Sequence, residues 1–411
     1  MTWLPVVVLL AVFLLIAARQ VGRVRLRIWH IMLGGAAAVL LTGQIGPAEA
    51  AAAVNPDVML FLFGMFVVGR ALEESGYLYH LGERWFGRTR SADGLLLLVF
   101  LWMGLLSAFL LNDTLAIIGT PLVLNLARKH GLPPKMLLLA LAFAVTIGSV
   151  ASPIGNPQNL LVALDGGVPS PFVTFGRFLL LPTLVNLVAA YLLLRFAFRD
   201  RMPRGPLEHR PEPVKDPALA RLCQIALALV VAGVAARISI SLLGLPAEFR
   251  LTCIALAGAA PILLLSPKRA DIARRIDWPT LVFFVAMFVL MQSVWDTGFF
   301  QSLLTLTGAD VASLPMILLV SVVLSQFISN VPLVALYLPL LVHGGASTEG
   351  LMALAAGSTV AGNLTILGAA SNVIIIQNAE RQGETLTFRE FTRFGVPLTA
   401  LNLFVYWLFL R

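Results

Sequence analysis

Two small polar clusters interrupt apolar runs of this 411-residue chain: Asn112-Asp113-Thr114 within residues 95–128, and Ser329-Asn330 within residues 314–342. Two further apolar runs are broken by helix-incompatible stretches. Residues 136–163 contain Gly148-Ser-Val-Ala-Ser-Pro-Ile-Gly-Asn-Pro-Gln-Asn159, and residues 351–377 contain Gly362-Asn-Leu-Thr-Ile-Leu-Gly-Ala-Ala-Ser-Asn372. Pro153 and Pro157 lack an N–H and clash with the turn before them, freeing carbonyls at a depth where lipid cannot satisfy them. Such a break persists where it lines a polar cavity. Freed carbonyls, amides and hydroxyls are hard oxygen ligands of the kind Na⁺ accepts, while freed N–H groups and the positive N-termini of half-helices suit an anion. The residues expected to hold substrate are Asn112, Asp113, Thr114, Ser152, Gly155, Asn156, Asn159, Ser329, Asn330, Thr365, Gly368, Ser371 and Asn372. Those expected to hold a coupling cation are Ser107, Asn112, Gly148, Ser149, Ser325, Asn330, Gly362 and Asn363.

A plainer reading is available for each group. Ser, Asn, Asp and Thr are the usual caps of helices, and the tips of two hairpins need caps. The occurrence of the same device twice, in two tips and two breaks, favours the site. Asp113 is the one acid placed deep in the membrane, where a carboxylate is costly, so proton or cation coupling is its expected role; a cap or a salt-bridged strut is the alternative. Neither tip carries an arginine, so an anion is expected to be held by amides, hydroxyls, half-helix dipoles and a co-bound cation rather than by a guanidinium fork. Arg177 and Arg393 stand at span ends and are explained as interfacial anchors. Gln158 and Asn378 receive no separate role.

The elements that must position these groups follow from composition. The chain is 59% hydrophobic and 12% charged, with a mean hydropathy of +0.90. A soluble domain carries roughly 25% charged residues. Successive apolar runs near the ~20 residues needed to cross a bilayer fill the chain, which predicts an all-α polytopic membrane protein with about ten spans and two re-entrant hairpins. The net charge of +8 does not imply nucleic acid, because the basic residues form no single face or tail. They mark topology instead. Arg19, Arg23, Arg25 and Arg27 follow the first span, and loop 44–56 has no Lys or Arg, which puts the N-terminus outside. Continuing this rule, all Lys and Arg except Arg177, Arg237, Arg250 and Arg411 fall in or beside cytoplasmic segments, and the C-terminus is also outside. The apolar run at Leu4–Ala18 has no basic residue before it and is read as a retained span. Cys223 and Cys253 both lie in apolar runs, so neither a disulfide framework nor a CxxC metal site is expected.

The chain divides into residues 1–56, two spans; 57–198, a first repeat of span, inward hairpin 95–128, broken helix 136–163 and span; 199–277, a basic loop and two linking spans; and 278–411, a second repeat with outward hairpin 314–342 and broken helix 351–377. The repeats align as Phe63-Gly-Met-Phe-Val with Val285-Ala-Met-Phe-Val, Asn112 through Pro121 with Asn330 through Pro339, Gly155 through Asn159 with Gly368 through Asn372, and Arg177, Asn186 and Arg195 with Arg393, Asn402 and Arg411. An odd number of spans separates the two starts, so the copies lie upside down relative to each other, as in transporters built from inverted repeats.

Ser107-Ala-Phe-Leu-Leu-Asn-Asp-Thr with Pro121, Ile154-Gly-Asn-Pro-Gln-Asn159, Ser325-Gln-Phe-Ile-Ser-Asn-Val-Pro with Pro339, and the 362–372 stretch resemble the ion transporter superfamily, which includes arsenite permeases, citrate carriers, divalent anion/sodium symporters and a sodium/proton antiporter branch. The resemblance covers about residues 57 to 411. The first break is similar to the dicarboxylate branch and the second to the arsenite branch. The first tip reads Leu-Asn-Asp-Thr and the second has Val-Pro, so the substrate does not carry over. The resemblance implies an elevator mechanism, with hairpins and broken helices moving against a scaffold that also forms a homodimer.

The expected function is therefore secondary active transport of a small anion or oxyanion across the cytoplasmic (inner) membrane, coupled to Na⁺ or H⁺. Alternatives are an arsenite-type efflux permease and a cation/proton antiporter using Asp113. An enzyme is not expected: His30, His80, His130, His209 and His343 lie in loops or at span ends, and no Gly-x-Ser-x-Gly, His-Glu-x-x-His or Walker A motif occurs. No organic cofactor is called for.

Overall fold

The computed structural model describes residues 3–18, 20–21, 24–25, 27–87, 89–203, 215–245, 249–299, 302 and 312–411. Several cations of the topology argument (Arg19, Arg23, Arg88, Arg204 and Arg210) lie outside the described residues. Among the described residues the fold is all-helical, apart from an antiparallel ladder of two residues on each side pairing Gln20–Val21 with Val24–Arg25.

Helices begin where side chains can take up the orphan N–H groups of a first turn. Asn55 accepts from the backbone N–H of Asp57 (2.9 Å), Ser91 from Gly94 (3.0 Å), Asp216 from Leu219 (3.0 Å) and Asp277 from Thr280 (3.1 Å). A proline within the first two helical positions, where no N–H is needed, follows Asn55, Asp216 and Asp277.

The first hairpin consists of Ala92–Phe109 and Asn112–His130, turned by Leu110 and Leu111; the second consists of Leu314–Ile328 and Asn330–His343, turned by Ser329 alone. The first broken span has a leading half, Pro134–Ser149, and a trailing half, Pro157–Asp165. The second has a leading half, Thr348–Val360, two 3₁₀ turns, and a trailing half, Ala370–Glu380. Both leading halves are apolar all round and buried, from Met136 to Ser149 and from Gly350 to Val360, so they form the centre of the molecule. The first arm of each hairpin packs on the leading half of its own repeat. The second arm packs on the trailing half of the other repeat. The two repeats are thereby interlocked reciprocally around the breaks. Gly148 shows how close the packing is: a Cβ there would lie 2.2 Å from the Gly104 carbonyl oxygen of the first hairpin, so only glycine lets the two backbones meet.

Around this centre stand Pro56–Ser75, Pro217–Leu242 and Leu251–Leu265, which pack on one another, and Ile28–Leu41 against Trp278–Trp295. By length and composition, Ala92–Phe109, Pro171–Arg201, Pro217–Leu242, Trp278–Trp295 and Phe388–Leu410 can each cross a membrane, and the pair Pro47–Ala53 and Pro56–Ser75, bent by 57°, adds a sixth. The expectation of about ten spans also counted shorter segments such as Leu4–Ala18 and Ile28–Leu41, of 15 and 14 residues, and both broken helices. Two local features depart from expectation. Tyr77–Phe86 forms a separate helix, and the span that closes the first repeat starts at Pro171 and passes through a π turn, Gly176–Leu180. Pro182 has no N–H to donate to the preceding turn, and a wide turn accommodates that loss.

Candidate substrate and cation site

Where the two hairpin tips meet the two breaks, a cavity of about 800 Å³ opens. Asn112 and Asp113 enter it from the first tip, and Ser329, Asn330 and Val331 from the second. Pro157 and Gln158, and Ala369 and Ala370, bring the N-termini of the two trailing halves to its wall. Arg27, Trp29, Pro279, Thr280, Phe283 and Phe284 close it from the surrounding helices. Two oriented helix N-termini and a guanidinium favour an anion here; the amide and hydroxyl oxygens of the tips favour a cation.

The predicted residues separate into those that face this cavity and those that hold the breaks open. Asn112, Asp113, Ser329 and Asn330 face it. Asn112 is anchored by its own N–H to the Gly155 carbonyl (3.2 Å), and its Oδ1 accepts from the Asp113 N–H (3.0 Å). Ser329 takes φ 73°, a left-handed value rare for a non-glycine residue. Asn330 Oδ1 is buried and has no hydrogen-bond partner.

The first break is held by asparagines. Asn159 Nδ2 donates to the carbonyls of Ser149 (3.0 Å), Val150 (3.3 Å) and Ser152 (3.0 Å), and Asn156 Oδ1 caps the trailing half by accepting from the Asn159 N–H (2.8 Å). Asn156 Nδ2 donates to Ser149 Oγ (2.9 Å), and Ser152 Oγ accepts from the Ile154 N–H (3.3 Å). Ser107 Oγ donates to the Val145 carbonyl (2.6 Å), tying hairpin to broken span. In the second break, Asn372 Nδ2 donates to the carbonyls of Gly362 (2.6 Å) and Thr365 (3.5 Å). Asn363 Nδ2 donates to Asn402 Oδ1 (3.0 Å), whose Nδ2 donates to Asn186 Oδ1 (2.9 Å). Ser325 Oγ, Ser371 Oγ, Asn363 Oδ1 and Asn372 Oδ1 are buried without a partner. The halves are therefore unequal: Ser107 and Asn159 are engaged where Ser325 and Asn372 keep a spare oxygen, while Thr359 of the second copy is engaged where Thr146 Oγ1 of the first has no partner among the described residues. Gly155 and Gly368 allow close backbone approach, and Thr114 packs under the first tip rather than in the cavity.

Four residues outside the expected set matter. Gln158 faces the cavity. Arg27, treated in the sequence only as a topology marker, supplies the guanidinium that neither tip carries. Gln326 bridges the second hairpin to the second break, donating to the Ala361 carbonyl (2.9 Å) and accepting from Thr365 Oγ1 (2.8 Å). Thr359 Oγ1 donates to Asn159 Oδ1 (3.2 Å), linking the two breaks. Thr359 had a repeat-based signal, since it occupies the position of Thr146 in the other copy; Arg27 had none.

The geometry agrees with the relationships of the chain. The sequence model of the citrate transporter family, CitMHS, matches residues 10–349. The chain belongs to this family of membrane transporters and is not an enzyme. An uncharacterized transporter of Mycobacterium tuberculosis is 28% identical over 430 residues, covering 98% of this chain and 96% of the relative. The silicon efflux transporter LSI3 of Oryza sativa subsp. japonica is 26% identical over 437 residues, 89% of each. In fold the chain is similar to the YdaH transporter of Alcanivorax borkumensis, whose crystal structure is titled as revealing an unusual topology, with a TM-score of 0.62 and 17% identity over 99% of this chain and 96% of that one.

Proposed function

We propose that this transporter moves a small anion or oxyanion across the inner membrane, coupled to Na⁺ or H⁺, by an elevator mechanism. The observation that carries the reading is the convergence of both hairpin tips, both trailing-half N-termini and Arg27 on one cavity of about 800 Å³. That volume holds a small carboxylate or oxyanion. The amide and hydroxyl oxygens with no partner in the second half supply ligands for the coupling cation, and no organic cofactor is required. The citrate transporter family and a relative named for silicon efflux are consistent with an oxygen-rich substrate. Arg27 and Thr280 flank basic segments, so with both termini outside the cavity opens toward the cytoplasm. The moving body comprises the hairpins and broken spans; the surrounding helices form the scaffold of a homodimer.

Purified protein in vesicles, with an imposed Na⁺ or H⁺ gradient and screened with citrate and other carboxylates, sulfate, arsenite and silicate, tests this reading. Gradient-dependent movement of one anion is expected, abolished in Asn112→Ala and Asn330→Ala proteins that still fold. Cation–proton exchange with no anion moved would instead support the antiporter reading.

A further inference from the structure

Asp113 borders a second cavity. Besides the central one, it faces a crevice of about 140 Å³ between Pro56–Ser75 and the second arm of the first hairpin, together with Arg70, Glu73, Arg275 and Asp277. The inverted repeat puts a counterpart of about 600 Å³ at the opposite face, between Trp278–Trp295 and the second arm of the second hairpin. The two correspond residue by residue: Phe66 with Phe288, Gly69 with Met291, Ile117 with Ala335 and Ile118 with Leu336. Their chemistry differs. Where the first copy carries Arg70, Glu73 and Asp113, the second carries Gln292, Trp295 and Val331. The counterpart has ionisable groups of its own in Asp165 and His343, but its lining does not extend to the second tip, whereas the charged crevice includes Asp113 at the first.

We propose that this crevice is a proton port, through which Asp113 exchanges protons with the cytoplasm without using the substrate cavity. The inference rests on Asp113 as the coupling group and adds the path by which the proton arrives. Arg70 is paired with Glu73 (2.7 Å) and Glu74 (2.8 Å), and Arg275 lies 3.7 Å from Glu74. Leaving out Asp113, which borders both cavities, the crevice and its rim hold three carboxylates, Glu73, Glu74 and Asp277, against two guanidinium groups, an excess of one acid. That field admits a positive ion and repels an anionic substrate. The central cavity carries Arg27 and attracts the anion. Charge sorts the two species into separate routes to one residue. A hydronium ion in the crevice gives its proton to the Asp113 carboxylate and is left as water, neutralising the carboxylate beside the bound anion, and the proton passes back to water from the same oxygen when the anion has gone.

The test uses the full chain in vesicles and the anion identified in the screen above. Glu73→Gln removes a negative charge from the crevice wall, which makes an ionised Asp113 easier to sustain. The midpoint of the pH–rate profile is expected to move to lower pH by about half a unit, with the substrate KM unchanged. Gln158→Leu, in the central cavity, is expected to raise KM and leave the midpoint alone. In a chain with Cys223→Ser and Cys253→Ser, Ile118→Cys should react with a bulky thiol reagent from the cytoplasmic side and lose pH-driven transport, and saturating substrate should not protect it. A wild-type rate indifferent to pH gradients would overturn the coupling role and the port together. A pH-responsive wild type with an unmoved Glu73→Gln midpoint, or substrate protection of the introduced thiol, would overturn the port alone.

Discussion

Asn159 and Asn330 have the same side chain and opposite duties. Asn159 donates to three carbonyls of the first break, of which those of Ser149 and Ser152 otherwise accept only a long backbone bond of 3.4 Å each. Asn330 lines the cavity and keeps a buried oxygen with no partner among the described residues. Removing the donor in Asn159→Leu orphans buried acceptors at a cost on the order of 3 kcal/mol, visible as a lower melting temperature in detergent. Asn330→Ala should melt within about 0.5 kcal/mol of wild type while losing transport. The amides themselves were legible in the sequence; their division into caps and ligands was not, because it depends on partners such as Thr359 that come from the other repeat. Arg27 was hidden for the same reason. At the start of Pro217–Leu242, the Leu219 N–H and then the Lys268 ammonium (2.7 Å) hold the Asp216 carboxyl below its ordinary range. The folded value is the lowered one, so its stabilisation is present above the ordinary carboxylate range and lost as pH falls through the lowered value. As pH falls through and below the ordinary carboxylate range, the wild-type melting temperature should therefore fall further than that of Asp216→Asn.

At the scale of elements, interruptions are easier to read than contacts. Proline and glycine announced the first break and glycine the second, and the caps at Asn55, Ser91 and Asp277 lie where the apolar runs begin. The Tyr77–Phe86 helix was missed because it follows the preceding helix after Gly76 alone, and the π turn because its cause, Pro182, lies beyond it. The meeting of Gly148 with Gly104 also has no sequence signature, since the two lie on helices that contact only in the fold. Gly148→Ala would press a methyl into a backbone carbonyl and should cost about 1–3 kcal/mol, measured by thermal melting. At Ser329 the backbone conformation favours glycine, so Ser329→Gly should preserve the second tip and Ser329→Val should destabilise it by about 1–2 kcal/mol.

For the whole molecule, the outer face supplies a direct test of motion. Asn55, beside the scaffold helix Pro56–Ser75, donates to Asp165 at the end of the first broken span (2.6 Å). In the proposed cycle this contact must part. Cysteines at both positions, in a chain without Cys223 and Cys253, should be joined by a short bifunctional thiol reagent, and joining them should stop transport; transport that continues after complete cross-linking would show that the two bodies do not separate.

The close seating of Phe388–Leu410 on the second break bears on what surrounds the protein. A Cβ at Gly395 would lie 2.2 Å from the Asn363 carbonyl oxygen, and Asn402 joins this helix to both Asn363 and Asn186. The helix therefore cannot slide on the break, and Leu181–Phe198 is bound to it. The outer faces of this pair carry Leu184, Val188, Phe196, Phe404 and Phe409, all exposed. In the proposed cycle, a body that includes the breaks drags these side chains through the surrounding acyl chains. The membrane then acts as a mechanical load, and turnover should slow in thick, ordered bilayers relative to thin, fluid ones even when the ion gradients are held the same.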